Sequence, residues 1–115
     1  MSLKAYKAAQ VATEDPRVTE YRLFGQVTGA LLTAKESKAE GSPLVEAVDW
    51  NRRLWRTLAA DCMDDRNTLT EDVRAKIISL SLWVAKYSRS VTREKAPLDP
   101  LIEINRTIMQ GLQAS

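Results

Sequence analysis

Three carboxylates crowd one short stretch of the chain, at Asp61, Asp64 and Asp65, with Arg66 and Asn67 directly behind them. Acids at that spacing could hold a divalent cation or work as an acid–base pair. The stretch lacks the central glycine and the later glutamate of a calcium-binding loop. A charged, solvated helix end accounts for it better. Cys62 stands among these acids as the only cysteine, and the chain contains no histidine to activate it. It lies on an apolar seam and reads as a buried, inert thiol. The missing histidine also removes serine–histidine pairs, histidine zinc sites and the usual proton shuttle. No phosphate-cradling loop, dinucleotide fingerprint or nucleophile elbow is present. The expectation is therefore a protein that is not an enzyme, with no metal, no cofactor and no small-molecule substrate.

Binding residues are easier to find. Arg52, Arg53 and Arg56 form a candidate basic patch that could touch RNA phosphates. Arg52 and Arg56 share a helix face, while Arg53 lies about 100° round from Arg52. Asp49 is placed to pair with Arg52 or Arg53, so direct RNA contact is not the expected use. Trp55 and Trp83 fall on or beside apolar stripes and read as core. Trp50 precedes Trp55 by five residues and points roughly 140° away. Either this helix is buried on two sides, or one of its tryptophans is free for a partner.

These residues need helices to position them. Asp15-Pro16, Ser42-Pro43 and Asp99-Pro100 each place an oxygen-bearing cap before a proline in the first helical turn. Thr70, followed by Glu71 and Asp72, marks a fourth start. Apolar residues then recur by threes and fours: Tyr21, Phe24, Val27, Leu31 and Ala34; Leu44, Val48, Trp55, Leu58 and Cys62, with Asn51 the one polar member; Val73, Ile77, Leu80, Val84, Tyr87 and Val91; Leu101, Ile104, Ile108 and Leu112. No segment alternates as a strand would. Helices are expected over ~16–38, ~43–64, ~71–92 and ~100–111, with Gly111 ending the last.

Short connections imply antiparallel neighbours, hence an all-α, small antiparallel bundle of four main helices. Residues 1–14 form either a short extra helix or a frayed tail. The chain has 115 residues, 44% hydrophobic and 28% charged, with a formal charge of +2. That suits one domain over 1–115, and the weak charge gives no reason to invoke nucleic acid or membrane. With no leader-like start and no spanning apolar run, the expected location is cytoplasmic.

Ile102 and Met109 widen the apolar face of the last helix beyond one seam. Either that helix packs between two others, or part of the face awaits another protein.

Three blocks carry a resemblance: Arg53-Leu-Trp-Arg-Thr-Leu-Ala-Ala-Asp61, Asn67-Thr-Leu-Thr-Glu-Asp-Val-Arg-Ala-Lys-Ile-Ile-Ser-Leu-Ser-Leu-Trp-Val84 and Pro100-Leu-Ile-Glu-Ile-Asn-Arg-Thr-Ile-Met-Gln-Gly-Leu112. In order and spacing they resemble the FlaF family of flagellar biosynthesis regulators of alphaproteobacteria, over about the C-terminal two-thirds of the chain. The first forty residues match only as a helical stretch. The resemblance implies a cytoplasmic protein needed for flagellin production and export. It would act as a flagellin-specific secretion chaperone, or as a post-transcriptional regulator of flagellin synthesis working with FlbT or on flagellin messenger RNA. Matching positions include Leu54, Trp55, Asp61, Asn67, Leu69, Arg74, Ser79, Trp83, Asn105 and Gly111. Of these, Trp55, Asp61, Asn67, Arg74, Trp83 and Gly111 are expected to be structural. The expected partner is flagellin, with FlbT second. A spare apolar groove walled by Trp50, Leu54, Ile102, Asn105 and Met109 could cover a flagellin segment as a helix.

Overall fold

Thr70 opens a helix as its sequence predicts, its hydroxyl accepting the Val73 N–H at 3.4 Å. In the computed structural model, which describes residues 16–114, the described residues form four helices and no strand. They are α1 (Pro16–Glu36), α2 (Ser42–Met63), α3 (Glu71–Glu94) and α4 (Asp99–Ala114). The expectation for residues 1–14, and the capping role of Asp15, lie outside the described residues.

Two of the other predicted starts differ in detail. Ser42 is already helical. The turn before it is made by Gly41 at φ 63°, a left-handed conformation that suits glycine, and the Gly41 carbonyl accepts the Val45 N–H at 3.0 Å. Asp99 also lies inside its helix. The Leu98 carbonyl accepts from Leu101 and Ile102 at 3.0 and 3.2 Å, while the Asp99 carboxylate reaches Lys35 at 3.1 Å. Gly111 does not end α4, which continues to Ala114. Isolated glycine costs a helix only about 1 kcal/mol against alanine.

The helices pack in the order α3, α2, α1, α4, with α3 and α4 barely touching. Each close pair runs antiparallel: Trp55 and Cys62 of α2 meet Ser81 and Arg74 of α3, Phe24 and Ala34 of α1 lie by Trp55 and Ala47 of α2, and Thr28 and Lys35 of α1 meet Asn105 and Asp99 of α4. Phe24, Leu31, Trp55, Val84, Val91 and Leu101 are sealed in one core. Phe24 meets the Trp55 ring edge to face at 5.5 Å and 85°, a geometry the ring quadrupoles favour. The stripes thin at their ends, since Tyr21 and Val73, each the first of its series, are exposed.

Arg74 closes the turn between α2 and α3. Its Nε donates to the Cys62 carbonyl at 2.6 Å and a terminal nitrogen to the Asp64 carbonyl at 3.1 Å. These carbonyls lie at the end of α2, where intrahelical partners run out. Asn67 adds its amide to the Asp61 carbonyl at 3.0 Å and accepts the Leu69 N–H at 2.9 Å.

Candidate partner-binding surface

A polar knot sits inside the core, built from three helices. The Trp55 indole N–H donates to Asn105 Oδ1 at 2.8 Å. The Asn105 amide nitrogen donates to Asn51 Oδ1 at 2.7 Å and to Thr28 Oγ1 at 3.2 Å. Only one orientation of the Asn105 amide works, because the indole can donate and never accept. All four residues are buried. Asn105 is thus the joint between α4 and the α1–α2 pair, and it does not line a free groove.

The other residues expected around a groove are scattered. Ile102 is buried in the core, and Leu54 and Met109 pack against it. Met109 comes within 4.0 Å of the Thr28 hydroxyl through its sulfur. So α4 does pack between neighbours along this face. Trp50 alone stays accessible, at 37% exposure against 0% for Trp55. Its ring borders a shallow trough between α1 and α2 with Ala30, Thr33, Pro43 and Ala47.

Trp83, expected in the core, lies on the surface. It does not enter the core: it is 38% exposed, and its ring stacks on Tyr87 at 5.0 Å and 14° along the outside of α3. Four-residue spacing puts the two rings on one helix face. Tyr87 is held in turn by its hydroxyl, which donates to the Pro97 carbonyl at 2.7 Å. Burial and the nearby Asp99 charge push the Tyr87 phenol above its ordinary value.

Beside Trp83 the seam between α3 and α4 is open. A cavity of about 380 Å³ is lined there by Leu80, Trp83, Pro100, Glu103, Ile104 and Thr107. Leu80 and Ile104 are half-buried, and Leu82, one residue before Trp83 in α3, is 69% exposed. Helical spacing predicted Leu80 and Ile104 as inward residues, and they do face inward, into a seam that their own bundle leaves unfilled.

The basic patch is largely spent at home. Asp49 accepts a hydrogen bond from Arg52 at 2.9 Å and forms an ion pair with Arg53 at 3.2 Å, leaving Arg56 as the member with no ion pair among the described residues. The acidic stretch is equally local. Asp64 is bound by Arg66 at 2.8 Å, and no group of acids, cysteines or histidines among the described residues is arranged to hold a metal. Burial raises the Cys62 thiol, with the Glu20 charge adding to it. No described helix is long and apolar enough to cross a membrane.

The sequence profile of the family described as Flagellar protein FlaF matches residues 2–112. The match therefore includes residues 2–40 as well as the three motif blocks. No curated protein and no solved structure matches the chain. The chain belongs to the FlaF family.

Proposed function

We propose that this flagellar protein binds flagellin before assembly and takes an amphipathic helical segment of it into the groove between α3 and α4. The supporting observation is the open seam itself. Half-buried Leu80 and Ile104 form its floor, and Trp83 stands at its lip with a ring already fixed by stacking on Tyr87. A rigid tryptophan at the edge of an apolar slot is the kind of residue that carries most of a binding energy. A guest helix laying one apolar face into the seam would complete the bundle where α3 and α4 fall short. Covering that face on flagellin would prevent premature self-association. Ordering the segment would cost free energy and leave an affinity compatible with release.

In this role the protein is a non-catalytic cytoplasmic chaperone. The pairing of Arg52 and Arg53 with Asp49 argues against direct contact with flagellin messenger RNA. A regulatory role would then run through a protein such as FlbT. Calorimetric titration with monomeric flagellin separates the two. Binding that is saturable and nearly independent of salt supports the groove, whereas absence of binding at low and high salt moves the activity to FlbT.

A further inference from the structure

Two lysines hold a left-handed backbone conformation, and both line the same cavity. Lys38 follows α1 at φ 53° and Lys95 follows α3 at φ 58°. They are the only non-glycine residues at positive φ among the described residues. Glycine and asparagine suit such positions, so lysine stands there at a local conformational cost. Complementing the helix dipole does not require it, because Lys35 and Arg93 already stand in the last turns of α1 and α3.

The cavity measures about 600 Å³, within the range of small-ligand sites. Its floor is apolar: Ala34, Val91 and Leu98 are buried and Leu44 is half-buried. Its rim carries Lys35, Lys38 and Lys95 against Glu40 and Asp99. Lys35 and Asp99 neutralise each other at 3.1 Å. Two lysines then face one glutamate, and neither Lys38 nor Lys95 has an ion-pair partner among the described residues.

We propose that this cavity binds an acidic peptide segment, with an aliphatic side chain on the floor and its carboxylates between Lys38 and Lys95. Charge complementarity selects the acid, and the buried aliphatic floor selects the neighbouring side chain. A single-stranded nucleic acid would want an aromatic platform, and no aromatic residue lines this cavity. The site is built from the ends of α1 and α3 together with the starts of α2 and α4, and it shares no lining residue with the groove at Trp83.

The test is an NMR titration of the ¹⁵N-labelled full chain with a short glutamate–leucine peptide and with its glutamine–leucine isostere. The acidic peptide should give saturable shifts confined to residues 34–41 and 91–99, weakening as salt is added. The Lys38→Gly/Lys95→Gly double variant should bind at least about tenfold more weakly, a loss of about 1.4 kcal/mol. It should melt no lower than the parent, because glycine relieves both backbones. A Lys38→Asn/Lys95→Asn pair removes the same charges with less added chain freedom and should lose binding equally. No shifts, equal binding of the glutamine peptide, or unchanged binding by either double variant would overturn the proposal. So would displacement of the peptide by an equal concentration of inorganic phosphate, the mark of a generic anion site.

Discussion

Trp55 and Asn105, fifty residues apart in the chain, are joined by a 2.8 Å hydrogen bond in the centre of the bundle. The bond fixes which turn of α4 faces the α1–α2 pair. Sliding α4 by one turn would bury the indole N–H with no acceptor, a cost that apolar contacts alone would not impose. The same register places Ile104 opposite Leu80 and Trp83, so the buried knot positions the open groove.

Removing the joint should be expensive. Asn105→Ala orphans the indole N–H and the Asn51 oxygen together, and is expected to destabilise the fold by about 2–4 kcal/mol. That corresponds to a melting point lower by roughly 10–25 °C in a chain of this size. Thr107→Ala, on an exposed turn of α4, should change stability by less than about 0.5 kcal/mol. Urea denaturation of both variants checks the contrast, and similar midpoints would mean that the knot does not hold α4.

Arg74 is expected to act on stability and not on binding. Arg74→Met keeps the aliphatic stem but loses both bonds to the carbonyls of Cys62 and Asp64. A loss of about 1–2 kcal/mol follows for a partly buried, charge-assisted cap. Arg74→Lys should recover only part of it, since an ammonium lacks the fork that reaches two carbonyls. Denaturation midpoints test the stability, and affinity for flagellin should stay within about twofold of the parent.

The acid side of the pH profile has a local signature. Hydrogen bonds from the Arg66 side chain and backbone hold the Asp64 carboxyl below the usual aspartate value. The folded group binds protons less readily than the unfolded one. Its contribution is therefore present above about pH 4 and lost as the pH falls through the lowered value. Both side chains meet solvent, so carboxyl NMR is the sensitive readout. Arg66→Gln should move the Asp64 titration upward, and an unchanged titration would count against the pair.

Much of this architecture is legible in the residues. Proline in the first turn at Pro43 and Pro100, and the threonine cap at Thr70, place three helix starts within about a residue. Apolar spacing finds the inner faces. Other features are hidden for physical reasons. Lys95 carries no stop signal, so the end of α3 depends on a left-handed turn that lysine does not advertise. Asn51 stands out as the polar member of an apolar seam, but nothing local pairs it with Asn105, because that contact is made only when α4 docks. Trp83 falls beside an inward stripe, yet the packing of α4 leaves its side of α3 uncovered. The tryptophans could be ordered as core or surface only once three helices were in place.

Flagellin binding in the groove between α3 and α4 turns on Trp83. The decisive experiment is titration of monomeric flagellin into the parent protein and into Trp83→Ala, followed by calorimetry at several temperatures. One-to-one binding with a negative heat-capacity change, weakened about 10- to 100-fold by the substitution, is the predicted result. Trp50→Ala, on the trough between α1 and α2, should bind as the parent does. Absence of binding by the parent, or equal affinities for parent and Trp83→Ala, would contradict the groove between α3 and α4 as the flagellin site.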